Sequence, residues 1–184
     1  MIVFWRRTDI RGLERARIDF DSDTPCAVST VLSEEAGGLR CDYDWQIDPD
    51  RSTRRLCVTR HGADGPRSLT VERSALGWMI DGLHRSDLDG AQEPDLSVTP
   101  FCNTLPIHRL PTETGSEITL DTVYIDGRDL SVVRSRQRYV RLAPEIVRYI
   151  DLGACEGFEA SLLLDRDNLV LRYEGLFERL HPSG

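Results

Sequence analysis

A chain of 184 residues, 40% of them hydrophobic, is long enough for one domain with a sizeable core. Its 31 acidic residues outnumber 23 basic ones, and the net charge of −8 argues against nucleic-acid binding, which depends on basic patches. All 23 of those basic residues are arginine, which excludes mechanisms that need a lysine amine, such as Schiff-base chemistry. No apolar run approaches the ~20 residues of a membrane-spanning helix.

The N-terminal residues and the cysteines predict a cytoplasmic protein. Arg6 and Arg7 follow a short apolar stub, which is the reverse of the order in a secretory signal. The cysteines are odd in number and widely spaced, so they form neither a disulfide framework nor a CxxC zinc pattern. We expect five free thiols: Cys26, Cys41, Cys57, Cys102 and Cys155.

Alternation of apolar and polar residues dominates the chain, and this period of two is typical of a strand with one buried face. The clearest case is residues 41–48, where Cys, Tyr, Trp and Ile alternate with Asp and Gln. The other predicted strand segments lie around residues 15–21, 56–58, 69–71, 78–80, 118–125, 130–133, 158–164 and 169–173. Turns rich in Gly and Asp separate them, which favours antiparallel hairpins.

Two segments depart from this pattern. Residues 143–150 are the best helix candidate because Pro144 suits a first helical turn, although their β-branched content favours a strand nearly as well. Residues 86–111 carry four prolines that do not suit a central strand, so we expect a barrel-rim or crossing segment. The whole chain, residues 1–184, is predicted to be a single all-β domain. About a dozen strands with one apolar face must close or curl, and a wide curl leaves an apolar cavity.

Glu14 is two and four residues from the apolar Ala16 and Ile18, so its side chain is predicted to point to the same inner face of the strand. A buried carboxylate must be paired, hydrogen-bonded or protonated. Glu14 is therefore a ligand-orienting or catalytic acid, one partner of a structural ion pair with arginine, or a residue at a strand end that reaches water.

Two polar stretches are further candidates. Residues 99–109 hold Asn103 and Arg109 in a loop made rigid by prolines, which suits ligand binding as well as local turn capping. On one strand, Gln137 and Tyr139 share a face, and arginines at 134, 136 and 138 share the other. Those arginines fit an anionic head group or a solvated face paired with acids. Motifs for a nucleophile elbow or an HExxH zinc site are absent, and residues 165–168 predict a hairpin turn rather than a calcium loop.

Four stretches together resemble the putative glycolipid-binding family of bacterial cytoplasmic proteins, a former domain of unknown function. The central one is residues 87–110, DLDGAQEPDLSVTPFCNTLPIHRL; the others are Trp5 with residues 12–14, residues 136–139 and residues 169–177. The resemblance implies an all-β fold with little helix: a long antiparallel sheet of roughly 12–15 strands curled into an incomplete barrel, like the bacterial lipoprotein carriers. It carries over no site residues. Ala91-Gln92 and Cys102-Asn103 depart from the Gly-Cys and Thr-Asn expected at those positions.

The leading hypothesis is non-catalytic binding of a lipid-like or glycolipid-like small molecule in an apolar barrel cavity. Ile18, Phe20 and Ile47 join the aromatic residues of the predicted wall. The predicted ligand-binding residues are Glu14, Tyr43, Trp45, Asn103, Arg109, Gln137 and Tyr139. No residue is assigned a catalytic or metal-binding role, and no cofactor, nucleic acid or membrane span is expected.

Two alternatives stay open beside it. One is a hydrolase or isomerase that acts on a lipid or sugar with Glu14 as acid or base. The other is a protein-interaction module, which a stable homodimer with a covered cavity mouth would favour.

Overall fold

The computed structural model describes residues 1–180 and is 57% strand and 9% helical. Its strands are β1 (Ile2–Arg7), β2 (Gly12–Asp19), β3 (Cys26–Ser33), β4 (Leu39–Ile47), β5 (Thr53–Gly62), β6 (Gly65–Ser74), β7 (Gly77–Ile80), β8 (Leu83–His84), β9 (Glu93–Leu96), β10 (Glu117–Ile125), β11 (Val132–Ala143), β12 (Ile146–Asp151), β13 (Glu159–Leu164), β14 (Val170–Tyr173) and β15 (Phe177–Leu180). The α-helix is α1 (Thr104–Arg109), and short 3-10 helices cover Glu35–Gly37, Ser86–Leu88 and Pro100–Asn103. No helix within residues 1–180 has the length and apolarity to cross a membrane.

All fifteen strands belong to one curled sheet that does not close into a barrel, so the predicted all-β fold is confirmed. The strand order runs from β8 down to β1, continues to β15, and then runs down to β9. Every neighbouring pair is antiparallel except β9 and β10, which are parallel. The predicted helix at residues 143–150 is instead a turn leading into β12, as the β-branched residues there favour.

Burial alternates along the strands as the sequence pattern predicts. On β4, Tyr43 and Trp45 point inward and are buried, whereas Asp44 and Gln46 point outward. The inward-facing side chains of the sheet form one continuous hydrophobic core. Most arginines of the strands are exposed or half-buried, whereas Arg60 and Arg141 are buried.

We use the name plug for residues 86–110, which pack against the inner face of the sheet and include its edge strand β9. The 3-10 helix Pro100–Asn103 and the first four residues of α1 are buried, whereas His108 and Arg109 are exposed. The fully buried ring of Phe101 lies with its centroid 5.4 Å from that of Trp45 and 6.5 Å from that of Tyr43. The prolines therefore lie in a crossing segment, and Pro94 falls in β9, at the edge of the sheet, where a missing N–H is tolerated.

No backbone hydrogen bonds pair the two end strands of the open sheet, β8 and β9. Side chains instead connect the β9 end with strands near the β8 end. Glu93, at the β9 end, accepts hydrogen bonds from both the backbone N–H and the hydroxyl of Thr53 on β5. Its other oxygen lies 2.6 Å from Nη2 of Arg109, and Nε1 of Trp78 donates to the carbonyl of Ala91 at 2.9 Å. The plug thus connects the halves of the curled sheet.

Candidate functional site

A cavity of about 280 Å³ lies between the plug and strands β12–β15. Aromatic rings form its wall: the centroids of Tyr149 and Phe158 are 6.1 Å apart, those of Phe158 and Tyr173 6.3 Å, and those of Tyr173 and Phe177 6.1 Å. Fourteen residues line it: Asp95, Leu96, Ser97, Thr99, Cys102, Asn103, Tyr124, Tyr149, Asp151, Cys155, Phe158, Tyr173, Leu176 and Phe177. A mostly apolar pocket with a few placed polar groups is the usual form of a small-molecule site.

The polar side of the cavity is a chain of hydrogen bonds between the plug and β11. The Tyr139 hydroxyl lies 2.9 Å from Oδ1 of Asn103 and 3.0 Å from Oε1 of Gln137. Gln137 then donates from Nε2 to the half-buried carboxylate of Asp95. Because Asn103, Gln137 and Tyr139 are all buried, these bonds fix the position of the plug on this side.

Asp151 supplies a second carboxylate at the end of β12. Its Oδ1 accepts hydrogen bonds from the backbone N–H groups of Gly153 and Cys155 at 2.8 and 3.0 Å. Its Oδ2 accepts from the Tyr149 hydroxyl at 3.0 Å. Burial raises the pKa of Asp95, and the nearby charge of Asp151 raises it further.

Glu14 lies next to the cavity rather than in its wall. Its Oε1 accepts hydrogen bonds from the hydroxyls of Ser29 at 2.8 Å, Tyr43 at 2.7 Å and Thr99 at 2.9 Å, and the residue is only 2% exposed. Its Oε2 is buried and has no hydrogen-bond partner within the described residues. Burial raises the pKa of Glu14 to about 7, against the three hydroxyls that favour the charged form. Within residues 1–180, the partners of Glu14 are hydroxyl groups, and no arginine is paired with it.

The structure brings some of the predicted ligand-binding residues together and separates others. Asn103 lines the cavity, Gln137 and Tyr139 support it, and Glu14 and Tyr43 reach it through Thr99. Trp45 instead donates to Thr53 at 2.8 Å and packs on Phe101. Arg109 lies with Glu93 where the sheet ends meet. Ile18, Phe20 and Ile47 belong to the hydrophobic core or pack against it, and none of them lines the cavity.

Arg134, Arg136 and Arg138 of β11 belong to the opposite face, whereas Arg141 on the same strand is buried. Arg134 and Arg136 both form ion pairs with Asp121 of β10, the latter at 3.0 Å. This arrangement corresponds to the solvated face paired with acids that was one of the two sequence interpretations. The segment after Asp165 is the predicted hairpin turn, with Asp165 accepting from the backbone of Asp167 and Leu169.

The sequence analysis missed Asp95, Asp151 and the aromatic wall. Asp151 shares the inward parity of Val147 and Tyr149 on β12, which is the same signal that drew attention to Glu14. Asp95 had no such signal because β9 was not predicted as a strand.

The fold and the site together define a class of protein. Its members have an open, curled antiparallel sheet around a plug, with an aromatic-walled pocket beside the plug. The family described as putative glycolipid-binding matches residues 2–179, and the chain belongs to it. The crystal structure of a DUF1089 family protein from Pseudomonas aeruginosa is similar to it: the identity is 31%, the alignment covers 92% of each chain, and the TM-score is 0.83. No curated protein matches the chain.

The cysteines offer a direct check of the cavity mouth. All five are free thiols, and Cys155 is exposed whereas Cys41 and Cys102 are buried. We expect a thiol reagent such as Ellman's to modify Cys155 about tenfold faster than the buried Cys41 and Cys102, because a reagent must reach the sulfur to react. Burial raises the pKa of Cys155, so its rate should increase with pH. Stopped-flow absorbance measures the rates, and Cys155→Ser should remove one of the faster phases. Modification of Cys41 or Cys102 as fast as that of Cys155 would contradict the described burial.

Proposed function

We propose that the protein is a non-catalytic binding protein for a lipid-like or glycolipid-like molecule and that the cavity beside the plug is its site. The observation that carries this proposal is that four aromatic side chains and three polar ones, Asp95, Asn103 and Asp151, line the same cavity. Rings provide apolar contact area, and a few polar groups orient a head group. The description of the family as glycolipid-binding supports the same class of ligand.

The size of the cavity limits how much of a lipid it holds. Its volume of about 280 Å³ is close to the lower end of the ~300–1,000 Å³ of ligand pockets. Phe158 and Leu176 are half-buried and Cys155 is exposed, so these three residues mark the opening. A head group and the start of a chain fit inside, and the remainder of the chain extends through the mouth.

The first test is native mass spectrometry of protein purified from its own host, followed by denaturing extraction. We expect a co-purifying acyl or glycosyl lipid at close to one molecule per chain. The same spectrum reports whether the protein forms a homodimer, which would favour the interaction-module alternative, and cell fractionation tests the proposed cytoplasmic location. A mass of protein alone, together with no binding of added lipids, would overturn the proposal.

A cavity-filling variant tests the site itself. Leu176→Trp replaces an aliphatic side chain at the mouth with a larger indole ring. We expect it to weaken lipid binding about tenfold or more, because the ligand and the indole compete for the same volume. Leu163→Trp, on the exposed outer face of β13, is the matched control and should bind as the unmodified protein does. Binding is measured by titration calorimetry. Equal loss in both variants, or in neither, would contradict this site.

A second candidate function is acid–base catalysis by Glu14 on a lipid or sugar substrate. Its pKa of about 7 suits a general acid or base, and Tyr43 lies within hydrogen-bond reach at 2.7 Å. Glu14 is not among the residues that line the cavity, which favours the binding function. Hydrolysis of nitrophenyl esters or glycosides that Glu14→Gln abolishes, in a folded variant, would favour the enzyme.

A further inference from the structure

The cavity beside the plug has an unusual balance of charge. Its lining includes two carboxylates, Asp95 and Asp151, and no arginine or histidine. Many acids elsewhere in residues 1–180 lie against guanidinium groups, such as Glu93 with Arg109 and Asp121 with Arg134, although the buried Glu14 does not. The cavity carboxylates instead have neutral donors: the Gln137 amide, the Tyr149 hydroxyl and backbone N–H groups. No ion pair reaches either of them within the described residues.

Tyr173 adds a hydroxyl to the aromatic side of the same cavity. The residue is 6% exposed and lines the cavity. A tyrosine hydroxyl can both donate and accept a hydrogen bond, so it is one more polar group that a ligand can contact.

The aromatic wall favours a positively charged ligand, as the carboxylates do. Aromatic ring faces carry the negative side of the ring quadrupole, which attracts cations and disfavours anions. Tyr149, Phe158 and Tyr173 supply such rings, whereas the guanidinium of Arg7 already lies over the ring of Phe177, 5.0 Å from its centroid. Carboxylates beside such rings add charge-assisted hydrogen bonds to an N⁺–H donor. A phosphate or carboxylate head group would meet two acids with no cation to balance it.

We propose that this cavity recognises a head group with a protonated amine, either an alkylammonium or an amino-sugar, and discriminates against anionic head groups. The inference rests on the proposed function, namely that the cavity binds an amphiphile. The ammonium donates to Asp95 and Asp151, the ring faces surround its carbon substituents, and the Tyr173 hydroxyl accepts from it.

Three probes of equal chain length separate the possible charges: octylammonium, octyl β-glucoside and octanoate, each below its micelle concentration. Titration calorimetry should show octylammonium binding about tenfold more tightly than octyl glucoside, with octanoate the weakest. Octanoate binding as tightly as octylammonium would overturn the inference. Octyl glucoside binding as tightly would also overturn it, while leaving the proposed function intact. No binding of any probe would count against the proposed function as well.

Charge-neutralising variants identify the carboxylates as the cause. Asp95→Asn and Asp151→Asn each keep one oxygen acceptor for the existing neutral donors, and each should lower the preference for octylammonium over octyl glucoside by about fivefold or more. Glu117→Gln, an exposed acid at the start of β10, makes the same change in net charge and is the matched control. Near-UV circular dichroism shows which variants are folded. One folded aspartate variant is enough to carry out the test. An unchanged preference in a folded variant, or an equal loss in the control, would contradict the inference.

Discussion

Phe101→Ala is expected to lower the free energy of unfolding by about 3–5 kcal/mol, the range measured when a fully buried phenylalanine is truncated. The ring of Phe101 stacks between Phe20 and Tyr43, with centroids 6.3 and 6.5 Å away, and meets the edge of Trp45. Through this ring the plug packs against three aromatic side chains from the N-terminal half of the chain. Urea denaturation followed by tryptophan fluorescence measures the loss.

Leu76→Ala is the control for this comparison. Leu76 lies in the turn between β6 and β7 and is 72% exposed, so its truncation should change stability by no more than about 0.5 kcal/mol. A loss below about 1 kcal/mol for Phe101→Ala would mean that the plug is not anchored where the structure places it.

Glu14 should make the protein less stable as the pH rises from 5 to 8. Its folded pKa of about 7 lies above the ordinary 4.5, so the folded state holds this proton over a window where the unfolded chain has released it. Unfolding then releases a proton, and the free energy of unfolding falls across that window. The difference between the two pKa values corresponds to about 3 kcal/mol, lost mostly between pH 5 and 7.

Glu14→Gln isolates this contribution from those of Glu93 and Asp95, whose pKa values burial also raises. The glutamine keeps an oxygen for Ser29 and its neighbours but does not ionise. Stability measured by urea denaturation at pH 5, 6, 7 and 8 should therefore fall less steeply in the variant, by about 3 kcal/mol over the whole range. Parallel profiles for the two proteins would show that the Glu14 proton is not the cause.

The strands were predictable because each carries its own pattern. Alternation along residues 41–48 needs only the rule that successive side chains face opposite sides, and β4 follows it. The inward orientation and burial of Glu14 followed from the same parity, and the structure pairs it with hydroxyls rather than with an arginine.

The position of the cavity was not predictable in this way. The alternation pattern shows that a side chain points inward, but it is the same for a packed core and for a cavity wall. Trp45 and Tyr149 were therefore equally good candidates for the cavity wall. What separates them is the plug, which fills the space in front of Trp45 and leaves the space before Tyr149 open. The depth of the plug depends on contacts far apart in the chain, such as Asn103 with Tyr139, and no local pattern records them.

The strand order also determines how the molecule resists tension. β1 and β15 are antiparallel neighbours in the middle of the sheet, and Phe4 pairs with Leu180 while Arg7 pairs with Phe177. Force applied through residues 2 and 180 therefore acts at the same end of this pair and opens its hydrogen bonds one after another, as in a zipper. The first mechanical event would separate β1 from β15, opposed by the indole of Trp5, which donates to the carbonyl of Val170 at 2.7 Å. The two sequence halves would then still be joined through the plug, for example by Glu93 and Thr53.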